Sequence, residues 1–184
     1  MNIPTILTFA RIFLIPAFVL VFYMPGNFGH IFAAAIFALA ALTDWLDGYL
    51  ARNLNQITKL GEFLDPVADK LIIAVALVLI TAEIGAWYVA IPAAVIVGRE
   101  IVISALREWM AEIGKRTSVA VSYVGKLKTT AQMGALISLI LYCPGHEIIF
   151  FVIGIVLLYL ATGLTFWSMI IYLRAAWPDL TLSQ

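Results

Sequence analysis

Residues 43–70 read TDWLDGYLARNLNQITKLGEFLDPVADK, and they place Asp44, Asp47, Asp65 and Asp69 between two long apolar runs. Carboxylates are costly beside or within lipid, and where spans contain them they usually mark a function. The chain around them is strongly apolar: 64% of its 184 residues are hydrophobic and 12% are charged. An ordinary soluble domain is about 45–50% apolar and about 25% charged. The formal net charge is zero, so no bulk basic character points to nucleic acid as a partner.

A membrane-spanning helix needs about 20 mostly apolar residues. Six such runs can be placed outward from the acidic stretch, at 4–24, 30–52, 60–83, 86–110, 125–142 and 148–173. The expected fold class is therefore an all-α integral membrane protein with six transmembrane helices in one domain, 1–184. Pro25-Gly26, Ile84-Gly85 and Pro144-Gly145 punctuate the connections. The first run reads as a retained span and not a cleaved signal peptide, because it has no basic leader and carries Arg11 in its middle. His30 and His146 read as loop residues. Cys143, the one cysteine, has no intrachain disulfide partner and reads as a small hydrophobe. Alanines 33, 34, 35, 38, 40 and 41 in the second run suit close helix packing in lipid.

Orientation follows from the basic residues. Loops 24–30, 83–86 and 142–148 hold no Lys or Arg, whereas Lys59, Lys115 and Arg116 lie in the others. Arg52, Lys126, Lys128 and Arg174 lie near the adjoining span ends. Both termini and the acidic stretch are then expected on the cytoplasmic side.

Asp44, Asp47, Gly48 and Ala51 fall at i, i+3, i+4 and i+7, one face of a helix; Asp65 and Asp69 fall at i and i+4 on the next. Two helices joined by a short loop are natural antiparallel neighbours, so the acidic faces can converge. Four close carboxylates cannot all remain ionised without compensation. Lys59, Lys70 and Arg52 offer some; two hard divalent cations would balance all four. A metal pair about 3.5–4 Å apart is the arrangement that clamps attacking and leaving oxygens at phosphorus. The alternative is structural: Asp65 before Pro66 fits an N-cap followed by proline at the first helical position. Gly48, Ala51 and Gly61 remove side chains near the acidic face, for a bulky ligand or for close helix contact.

The pattern Asp44-x2-Asp47-Gly48-x2-Ala51-Arg52-x8-Gly61-x3-Asp65-x3-Asp69 resembles the signature of the CDP-alcohol phosphatidyltransferases, with every position of the motif present. NIPTILTFARI (2–12), GREIVISALREWMAEIGKR (98–116) and VGKLKTTAQM (124–133) are similar to the bacterial members whose acceptor is sn-glycerol 3-phosphate. The resemblance covers nearly the whole chain and is weakest at 143–151 and in the last few residues. It implies six transmembrane helices, a homodimer, the bacterial inner membrane with the active site at the cytoplasmic face, and two Mg2+ or Mn2+ ions. It further implies transfer of a phosphatidyl group from CDP-diacylglycerol to sn-glycerol 3-phosphate, in phosphatidylglycerol synthesis. Asp44, Asp47, Asp65 and Asp69 match the family's metal ligands, and Asp69 also matches its general base. Gly48, Ala51, Arg52 and Gly61 match positions around the cytidine diphosphate.

An acceptor that carries a phosphate needs cations. Arg107, Lys126 and Arg99 are the candidates, since Arg contacts phosphate bidentately and Lys as a point charge. The alternative for Arg99 is a pair with Glu100, and for Lys128 a stem that snorkels to the interface. Lys115 and Arg116 suit topology or anionic lipid. Asn2, Thr8 and Arg11 recur in the family near the nucleotide, although Arg11 also suits a buried ion pair. Gly125-Lys126 is not a phosphate-binding P-loop, because the upstream glycines and a following Ser or Thr are missing.

Three rivals stand beside this expectation. A sister enzyme would use inositol phosphate, serine or phosphatidylglycerol as acceptor. A cation transporter would carry acids across the bilayer, yet the three opposite loops hold only Glu83 and Glu147. A non-catalytic assembly subunit would leave the four aspartates unexplained.

Overall fold

In a computed structural model, which describes residues 3–54, 59–113, 123–142 and 148–181, the chain is all-helical. Among the described residues six helices follow one another: α1 (Ile3–Phe22), α2 (Asn27–Leu54), α3 (Lys59–Ile84), α4 (Trp87–Glu112), α5 (Tyr123–Leu141) and α6 (Ile148–Thr181). They coincide with the six apolar runs. α6 continues eight residues past the expected end.

Two stretches, Trp87–Glu112 and Ile148–Arg174, are long and apolar enough to cross a membrane. Leu7–Phe22, Phe28–Thr43 and Leu127–Leu141 are shorter apolar helices. In α2 and α3 the aspartates interrupt the apolar run, so length alone does not qualify them. The outward faces are greasy: Phe13, Leu20, Val78, Ile101, Val156 and Trp167 are all exposed. So many large apolar side chains at the surface are unusual for a soluble monomer, whereas lipid solvates them well.

The chain divides into two compact units, Met1–Glu83 with Ile137–Phe151, and Ile84–Leu136 with Val152–Gln184. In the first, α1 buries Thr8, Arg11, Ile15, Phe18 and Phe22, a stripe at helical spacing. α1 packs on α2, where Phe18 meets Phe37 with ring centroids 6.0 Å apart. Ala33, Ala34 and Ala40 are buried beside Phe37, whereas Ala35 is exposed, so the alanine run serves helix contact on one face only. In the second, α4 buries Val89, Ala93, Ile96 and Ile103, α5 buries Ala131, Ala135 and Leu136, and α6 buries Leu158 and Ala161.

The turns lie where Pro-Gly and Ile-Gly were expected to break the chain. Gly26 and Gly85 have φ of 87° and 65°, a left-handed conformation that a Cβ opposes. α2 begins directly after the first of these turns. His30 is therefore a helical residue, not the loop residue expected, and it is buried. Its Nδ1 donates to the carbonyl oxygen of Ile140 at 3.0 Å, and its Nε2 lies 3.3 Å from Glu83 Oε1. His146 and Cys143 lie outside the described residues.

Candidate active site

α3 starts no later than Lys59, so Asp65 stands inside the helix and is not its N-cap. Pro66 follows it within the same helix, where the missing N–H frees a carbonyl one turn earlier. Asp65 and Asp69 are one turn apart, hence on one face, and both are half-buried. Gly61, a turn before Asp65, is buried, so that face carries no side chain there.

α1 supplies the first partner. Thr8, fully buried, donates its hydroxyl to Asp65 Oδ1 at 2.5 Å. The Thr8 hydroxyl thereby engages one oxygen of the carboxylate. Arg11 is buried on the same face of α1, one turn on.

α2 carries Asp44, Asp47, Gly48, Ala51 and Arg52 on continuous helical backbone. The description there covers backbone and not side chains, as it does at Lys126 in α5, and Asn2 lies outside the described residues. Among the described residues no group of three or more His, Cys, Asp or Glu gathers to hold a metal. The described carboxylates do suit a hard divalent cation: two oxygen-donor side chains one helical turn apart, one of them oriented by a buried hydroxyl.

In the second unit three of the basic candidates, Arg99, Lys128 and Arg107, have described partners. Arg99 Nη1 donates to Glu100 Oε1 at 2.9 Å, and its Nη2 donates to Ser168 Oγ at 3.1 Å. The pair with Glu100 is the alternative foreseen for Arg99. Lys128 Nζ reaches the same Glu100 oxygen at 2.6 Å and is buried, so it does not snorkel to the interface: the acid in α4 holds it in. Arg107, exposed, donates to the Tyr172 hydroxyl at 2.9 Å. Glu100, Ser168 and Tyr172 went unassigned as site residues in the sequence. Glu100 carried a signal, as an acid inside an apolar span. Ser168 and Tyr172 carried none beyond their i, i+4 spacing on α6.

Residues 1–176 match the family model described as CDP-alcohol phosphatidyltransferase. A protein of Yersinia enterocolitica named CDP-diacylglycerol–glycerol-3-phosphate 3-phosphatidyltransferase is 57% identical over 180 residues, 98% of this chain and 97% of its own. A protein of Shigella flexneri with the same name is 56% identical over 179 residues, 97% of each chain.

Proposed function

We propose, from the premise that the chain belongs to the CDP-alcohol phosphatidyltransferase family, that it transfers the phosphatidyl group of CDP-diacylglycerol to sn-glycerol 3-phosphate. The products are phosphatidylglycerophosphate and CMP. The observation that carries this is near-full-length similarity to relatives named for that transfer. The bond formed joins the primary hydroxyl oxygen of the acceptor to the lipid-side phosphorus. The bond broken is the phosphoanhydride, whose electron pair leaves with CMP.

Asp44, Asp47, Asp65 and Asp69 would hold two divalent cations, Mg2+ or Mn2+. When bound, such ions stabilise the negative charge that builds on the pyrophosphate. Asp69 takes the proton of the attacking hydroxyl, a role that crowding beside other carboxylates favours. The Thr8 hydroxyl holds Asp65 in place. Gly48, Ala51 and Gly61 leave room for the cytidine diphosphate, and Arg52 contacts it; Asn2 and Arg11 stand in secondary roles. Arg107 and Lys126 bind the phosphate of the acceptor; Arg99, engaged by Glu100 and Ser168, stands behind them with Lys128.

The chain is a homodimer of six-span subunits in the bacterial inner membrane, with both termini and the site at the cytoplasmic face. That placement leaves the acyl tails in the bilayer while nucleotide and acceptor arrive from water.

The test is CMP release by purified protein in detergent, with CDP-diacylglycerol and glycerol 3-phosphate, inositol phosphate or serine as acceptor. Release is expected with glycerol 3-phosphate alone, abolished by EDTA and restored by Mg2+ or Mn2+. Metal-independent release would sink the cofactor assignment, and release only with another acceptor would sink the substrate. Asp69→Asn is expected to abolish turnover; near-normal turnover rules Asp69 out as base.

A further inference from the structure

Two arginines of one helix share one aromatic ring. The guanidinium carbons of Arg99 and Arg107 lie 5.8 and 5.2 Å from the centroid of Tyr172. Both distances are within cation–π reach. Two like charges at one ring repel each other unless their other contacts separate them. Arg99 is buried and tied at both ends of its fork, to Glu100 and to Ser168. Glu100 is also shared with Lys128. Arg107 has a different environment: it is exposed, and among the described residues its partner is the ring and hydroxyl of Tyr172. A guanidinium has five N–H donors in a planar fork. Tyr172 accepts one of them at Nη2 and supports the plane, which leaves the remaining donors of Arg107 for a bidentate contact. Ser168 and Tyr172 stand at i and i+4, so a single face of α6 orders both arginines.

We propose that Tyr172 is a positioning residue for the acceptor. Its ring and hydroxyl hold the Arg107 guanidinium in the orientation that receives the phosphate monoester of the acceptor. This rests on the assignment of Arg107 to that phosphate. Glu100 and Ser168 engage the two Nη ends of Arg99 instead. The effect of Tyr172 is then on acceptor binding and passes through Arg107 alone.

The experiment measures CMP release by the full chain in mixed micelles, varying each substrate with the other saturating. Arg107→Ala, Tyr172→Phe, Tyr172→Leu and the double variant Arg107→Ala/Tyr172→Phe are compared. Tyr172→Phe keeps the ring and loses the hydroxyl; its KM for glycerol 3-phosphate should rise roughly threefold to tenfold, the loss of about one hydrogen bond. Tyr172→Leu loses both and should rise further. The KM for CDP-diacylglycerol and kcat should stay within about twofold, the signature of lost binding without lost chemistry. In the double variant Tyr172→Phe should add nothing to Arg107→Ala, since coupled residues are non-additive. If Arg107→Ala raises the acceptor KM but neither Tyr172 variant does, or the two effects add, the role of Tyr172 is overturned and Arg107 stands. If Arg107→Ala leaves that KM unmoved, the acceptor assignment falls and this inference with it. A uniform loss of kcat and of both affinities with a lowered unfolding midpoint would make Tyr172 merely structural. Should Tyr172→Leu fail to fold, Tyr172→Phe and the double variant still decide.

Discussion

Asp65 has two oxygens, and Thr8 engages one of them from a different helix. A hydrogen bond to a charged group is worth about 1.5–3 kcal/mol, enough to orient the carboxylate. Thr8→Val keeps the shape and removes the hydroxyl. Turnover is expected to fall roughly tenfold, the equivalent of about 1.5 kcal/mol, with more Mg2+ needed for half-activation. Thr8→Ser should restore both. An unchanged Mg2+ midpoint in Thr8→Val would show that the hydroxyl does not orient a metal ligand. The aspartates stood out in the sequence because charge is rare in apolar helices. Thr8 stood out only through the family resemblance, because a threonine in such a helix is ordinary; what distinguishes it physically is a partner 57 residues away.

Helices were the most legible level. Each apolar run became a helix, and Pro16, Pro66 and Pro92 sit inside helices without ending them. In lipid-spanning helices neighbouring groups can satisfy the carbonyl that a proline frees. His30 was misplaced because Pro25-Gly26 made its surroundings look like loop, whereas the helix resumes at once. Its ring joins three helices: α2 through its own backbone, α5 through the Ile140 carbonyl and α3 through Glu83. Phe22 of α1 closes the fourth side, with ring centroids 5.6 Å apart. The Ile140 carbonyl can only accept, so the Nδ1 proton lies in that contact. His30→Ala removes both contacts and leaves Glu83 without its partner. A loss of about 2–3 kcal/mol is expected. It would be read as an unfolding midpoint lower by roughly 5 °C or more in detergent, with residual turnover in the protein that stays folded. An unmoved midpoint would show that the contact adds nothing to stability.

At the scale of the molecule the proposed orientation is the most exposed claim. It rests on basic residues gathered at one set of loops. With Cys143 replaced by Ser, a single cysteine at Gly145→Cys should react with an impermeant thiol reagent in intact cells. One at Lys115→Cys should react only after permeabilisation. The opposite pattern would invert the topology and move the aspartates to the other face.

The sequence by itself determined where the helices run and which carboxylates share a face. Both are local properties: helical periodicity repeats within a few residues, and apolar length can be counted along the chain. It also carried the family signature, because that signature is a spacing. The tertiary structure decided which polar groups complete one another: Thr8 with Asp65, His30 with Glu83 and Ile140, Arg107 with Tyr172. Those partners are 57, 53, 110 and 65 residues apart. No local pattern encodes such a meeting. It arises only when helix packing brings distant side chains together, in surroundings with little water to take the place of a missing partner.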